Sequence, residues 1–197
     1  MKRLITLSLA LLLLCSFTIS SGLPQEFKKL LKRAKMSFTP PDGYSETAPI
    51  KNKQMNWELA YKHPEKKFEV RYAIRPMDVL LKEHKEKEAH KKEMEINIHP
   101  NNWYRSVFEM TVLNISGGLL PDYNAFPSKA VKKEFNADWG ATAYLPVGEE
   151  FGQGYKYCLF IFIHKDDLGD GYVFFMGDDS ETILQEAKSV FHCLKFK

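Results

Sequence analysis

Apolar residues recur along this chain with two different periods, and the changes of period divide it into elements. Phe27, Leu30, Leu31 and Ala34 fall at i, i+3, i+4 and i+7, with Lys28, Lys29, Lys32, Arg33 and Lys35 between them, which predicts a short basic amphipathic helix. Pro40, Pro41 and Asp42-Gly43 then break any helix and start a turn. Met55, Trp57, Leu59 and Tyr61 alternate with polar or small residues, and after His63-Pro64 so do Phe68, Val70, Tyr72 and Ile74; this predicts a β-hairpin with one drier face. From Pro76 to Glu95 the chain is rich in Lys, Glu, Leu and Ala and reads as a helix. Its second half, Lys82 to Glu95, holds five lysines and five glutamates and has almost no face to bury.

Trp103, Val107, Phe108, Val112 and Ile115 predict a further helix that Gly117-Gly118 stops. Leu119 to Ser128 reads as a loop, and strands are predicted over Ala130 to Ala137, Trp139 to Val147, Tyr155 to His164 and Tyr172 to Met176. The last two strands are apolar on both faces, so they belong at the centre of a sheet covered twice. Asp178-Asp179-Ser180-Glu181 caps a final helix whose stripe is Ile183, Leu184, Ala187, Val190 and Phe191. The sum is an α+β chain, an α/β/α sandwich with a mostly antiparallel central sheet covered by helices on both faces.

The first residues change the picture. Lys2 and Arg3 precede an uncharged, leucine-rich run from Leu4 to Leu14, and small or polar residues follow up to Gly22, the layout of a cleaved export signal over residues 1–22. As a spanning segment the run is short and interrupted by Thr6, Ser8, Ser16 and Thr18. Bulky Leu14 before Cys15 argues against a lipidation motif. The expected organisation is a signal (1–22), a basic amphipathic segment (23–35) and a single domain (36–197), working in the periplasm or secreted.

Charge and composition exclude more than they assign. Without Lys2 and Arg3, 26 basic residues face 25 acidic ones, which is no nucleic-acid signature. Aromatics at 13% and hydrophobics at 44% describe an ordinary folded chain. The sequence has no nucleophile elbow, zinc-protease helix, P-loop or dinucleotide fingerprint, and its six histidines are not spaced as a metal set, so no cofactor and no metal are expected. Asp166, Asp167 and Asp170 miss the calcium-loop spacing because Leu168 takes a ligand position. An enzyme would need a site assembled across strands, with His164, Asp166 and Asp167 the candidates. The long loop before Ser128 is the first place to seek a binding surface, with Trp103, Tyr123 and Phe126 as candidate walls. Cys158 and Cys193 are either a disulfide pair or two buried thiols. Residues 27–35 offer an anionic membrane surface as a partner, unless their apolar face packs on the domain's own sheet.

The order of elements, the start SFTPPDGY with Phe38, Pro41, Asp42 and Gly43, and a hairpin ending in FEVRYAIRP resemble the PsbP-like family over Met36 to Phe196. The charged stretch from Lys82 to Asn102 is longer than that pattern. The resemblance implies a non-enzymatic binding or accessory role in the cell envelope, with a protein partner or small ligand and no catalytic residues to carry over. The alternatives are a hydrolase-like enzyme and a membrane-surface protein.

Overall fold

A computed structural model describes residues 22–92 and 94–197; the predicted signal, apart from Gly22, lies outside the described residues. Among the described residues, seven antiparallel strands form one sheet in the order β2 (Ser45–Thr47), β3 (Leu59–Lys62), β4 (Glu69–Pro76), β8 (Gly169–Gly177), β7 (Tyr157–Lys165), β6 (Trp139–Pro146) and β5 (Asn124–Ala125). A separate ribbon pairs β1 (Met36–Phe38) with β9 (Leu194–Phe196). Helices α1 (Gln25–Arg33), α4 (Ser128–Phe135) and α6 (Ser180–Val190), with the ribbon, cover one face; α3 (Tyr104–Ser116) and the one-turn α5 (Glu149–Gly152) cover the other. The expected α/β/α sandwich is the observed architecture.

Period-2 alternation on the central strands builds both cores. Val70, Tyr72 and Ile74 of β4, Val173 and Phe175 of β8 and Ile161 and Ile163 of β7 point toward α1 and α6, while Tyr172, Phe174, Met176, Phe160 and Phe162 point toward α3. All of these are buried, as strands apolar on both faces require. On the second face Phe108 of α3 stacks on Phe160 at 5.3 Å, and Phe160 stacks on Phe174 at 4.7 Å. Gly117 ends α3 with φ +76, a conformation that penalises any side chain. Gly169 (φ 141) begins β8 opposite Pro76, where a Cβ would stand 2.4 Å from the Arg75 carbonyl oxygen. Only glycine fits there.

Three predicted features need correction. Ala130 to Ala137 is not a strand: Ser128–Phe135 is helix α4, because Val131 and Phe135 lie at i and i+4 and are buried while Lys132, Lys133 and Glu134 face solvent. The first hairpin strand begins at Leu59 rather than Met55, because the Asn52 side chain binds the backbone N–H groups of Gln54 and Met55 and folds that stretch into a turn. The long charged helix is shorter than expected: α2 runs Asp78–Ala89 and buries no side chain. Of the two readings of the cysteines, two buried thiols is the one observed: Cys158 lies in the core under α3 and Cys193 in the core on the opposite face of the sheet. No helix among the described residues is long and apolar enough to cross a membrane.

The apolar face of α1 is spent on the fold. Phe27 and Ala34 are fully buried, Leu31 nearly so, and Phe27 meets Phe38 of β1 edge-on at 5.2 Å. Arg33 ties the same helix to the start of α2 through Asp78, with contacts of 2.9 and 2.6 Å. Of the two readings of this segment, packing on the domain's own sheet is the one observed for Phe27, Leu31 and Ala34, while Leu30 is half-buried and the lysines of 28–35 stay exposed.

Candidate functional site

The β7–β8 hairpin carries a row of charges on the α3 side of the sheet. Its turn brings His164 opposite Asp170, whose other neighbour is Arg75 of β4, while Trp139 of β6 faces His164 from the far side. Register alone thus lines up Arg75, Asp170, His164 and Trp139 across four strands. The His164 Nδ1 lies 2.7 Å from an Asp170 carboxylate oxygen, and its Nε2 lies 3.1 Å from one of Asp166. His164 is 0% exposed and Asp170 4%, whereas Asp166 is open to water. Arg75 donates to Glu58 at 2.7 Å, so acids and bases alternate along the row.

Burial works against a charged imidazole at His164, but the bonds and charge of Asp170, reinforced by Asp166, outweigh it and push its pKa up. A carboxylate at each ring nitrogen stabilises the imidazolium relative to the neutral ring, because both N–H groups then have an acceptor. The ring is also covered. Tyr104 stacks on it at 4.8 Å, and Trp139 packs on Tyr104 at 4.9 Å. Above it opens a polar cleft of about 410 Å³ lined by Asn101, Tyr104, Ser128, Asp138 and Asp166.

The three residues named from sequence for an enzyme are only partly assembled. Asp166 does reach His164. Asp167, in the left-handed region at φ 61, instead exchanges two 3.0 Å hydrogen bonds with Asn101. No serine, threonine or cysteine hydroxyl or thiol hydrogen-bonds to the imidazole among the described residues. Desolvation pushes both cysteine thiols up, Cys158 the more strongly, so neither is a ready thiolate. Among the described residues no three His, Cys, Asp or Glu side chains converge to hold a metal ion.

The aromatic candidates do not form one wall. Tyr123 packs on Phe108 at 4.8 Å under α3 and donates to Glu109 at 2.7 Å. Phe126 packs on Phe135 at 6.2 Å on the other face of the sheet, and Trp103 is 39% exposed at the start of α3. The loop holding Tyr123 and Phe126 is pinned as edge strand β5, Asn124 and Ala125 pairing with Thr142 and Ala141.

Sequence reading missed Asp170, Arg75 and Tyr104 as companions of His164. A signal was present: His164 and Asp170 stand equally far from Asp167, so a hairpin turn centred on Asp167 pairs them. The chain matches no protein-family model and no curated protein.

Proposed function

We propose that this chain is an exported, non-catalytic binding or accessory protein of the cell envelope, built on a PsbP-like α/β/α sandwich. The observation that carries this reading is the state of His164. A general base needs a free nitrogen facing substrate, and a nucleophile needs a base beside it; here Asp170 and Asp166 occupy both nitrogens. The constellation supports a role in holding the β7–β8 hairpin and the β6 edge in register, and the charge-neutral composition and leader-like start fit a protein that binds rather than turns over. Two measurements test the reading. Hydrolysis assays on ester, phosphoester, glycoside and peptide substrates should show no turnover above buffer, and a turnover abolished by His164→Gln at retained folding would overturn the non-catalytic part. Cell fractionation followed by mass measurement should find a chain beginning near residue 21–23 outside the cytoplasm; an intact amino terminus in the cytoplasmic fraction would overturn export.

A further inference from the structure

The lysines of α1 are arranged around a cleft that only the β1–β9 ribbon completes. Lys28 and Lys32 lie one helical turn apart on the exposed face of α1, and Lys35 follows in the left-handed region at φ 50. The Lys197 backbone N–H donates to the Lys35 carbonyl oxygen at 2.9 Å, which brings the Lys197 side chain to the same opening. The cleft measures about 500 Å³; its floor is Leu31, Met36 and Phe38, and no acidic side chain lines it. None of the four lysines has an ion-pair partner among the described residues, although Lys29 is held by Glu26 and Arg33 by Asp78.

Four ammonium groups with no acidic side chain beside them surround an apolar floor, and a low-dielectric wall of this kind focuses their field into the opening. Nearly balanced net charge makes the local excess a property of this face rather than of the whole chain. Lysine binds anions as a point charge with rotatable donors, which suits an oxyanion approached from several sides. A monocarboxylate would leave most of the positive charge uncompensated, whereas a phosphate group carries close to two negative charges and three acceptor oxygens. We infer that the cleft between α1 and the β1–β9 ribbon is a binding site for a phosphate-bearing anion. The inference goes beyond the proposed function and does not depend on it, since a basic cleft of this kind could serve a binding protein or an enzyme.

Inorganic pyrophosphate and vesicles of phosphatidylglycerol with phosphatidylcholine are the probes, each titrated against the purified protein at low salt. The variant Lys28→Gln/Lys32→Gln/Lys35→Gln/Lys197→Gln removes the cleft charge, and Lys85→Gln/Lys87→Gln/Lys91→Gln/Lys92→Gln removes the same charge from α2 and the residues just after it. Each cleft lysine is expected to contribute about fivefold, so the four together should weaken binding by roughly 600-fold in the first variant, and the second variant should weaken it by less than about twofold. Backbone amide shifts on adding pyrophosphate should cluster at residues 28–38 and 195–197. Binding of both probes identifies a free phosphoryl group as sufficient; binding of the vesicles alone, lost in the cleft variant, identifies a lipid headgroup as the source, and either result supports the site. Equal weakening in the two variants, shifts clustered elsewhere, or no binding of either probe would overturn it.

Discussion

Replacing Asp170 by Asn removes one charge from the buried row while keeping the shape of the side chain, and its cost can be worked from the geometry. At 2.7 Å and an effective dielectric of about 20, the gross attraction between Asp170 and a protonated His164 is roughly 6 kcal/mol. Desolvation of two ions takes back several kcal/mol, and breaking a buried pair by deleting one partner costs about 3–5 kcal/mol. The loss must depend on pH. His164 has a folded pKa above its ordinary value of 6.5, so its contribution is fully present below that value and is lost as pH rises through the raised folded pKa. In Asp170→Asn burial acts on the imidazole with only exposed Asp166 to oppose it, and exposed pairs contribute little. Its folded pKa should then fall below 6.5, and the variant should lose stability as the pH drops. The deficit is expected to be about 3–5 kcal/mol near pH 5.5. It should narrow to about 1 kcal/mol near pH 9, where a neutral ring donates to carboxylate or amide alike. Urea denaturation midpoints of both proteins at the two pH values measure it. An equal deficit at both values would refute the reasoning, and so would an Asp166→Asn loss as large as that of Asp170→Asn.

Phe27→Ala should cost about 3–5 kcal/mol, since the ring is fully buried against Phe38, and a melting temperature within a degree or two of the parent would show that α1 is not part of the core. Lys35→Gly should raise stability by about 1 kcal/mol by relieving a side chain at φ 50, read as an increased urea midpoint. Cys158 and Cys193 should both be alkylated in denaturant without a reductant; a mass lower by two hydrogens with no alkylation would mean a bond the fold cannot accommodate. Gln at Lys85, Lys87, Lys91 and Lys92 should change the melting temperature little, surface pairs being worth about 0–1 kcal/mol each and α2 burying no side chain.

Elements were legible where the chain offers enough positions to show a period. The stripes of α1, α3 and α6 and the doubly apolar β7 and β8 each run over several repeats, and the fold class followed from them. Edge elements of two to four residues, β2, β5, α5 and β9, are too short to display any period and are defined by their partners. In α4, Val131 and Phe135 are four apart, a spacing that satisfies both the strand and the helix period; the run Lys132-Lys133-Glu134, polar without interruption, is what a half-buried strand lacks. The sites were less legible because both are made by pairing. His164 meets Asp170 only once the hairpin register is set, and Lys197 reaches Lys35 only through a ribbon whose second strand left no trace in the pattern.

That ribbon has a kinetic consequence. Ser37 and Lys195 are joined across 158 positions of sequence, whereas the β7–β8 hairpin closes over a handful. Closing the larger loop is an entropic cost that has to be met before its contacts give anything back, and such contacts lengthen folding times. The pairing of Met36 and Phe38 with Phe196 and Leu194 is therefore expected among the later steps, whereas Phe27 and Phe38 can pack earlier against each other and on Tyr61 and Tyr72 of the first hairpin. Until the ribbon closes, the backbone edge that Met36 and Phe38 present to Phe196 and Leu194 is open to chaperones, proteases and other copies of the chain.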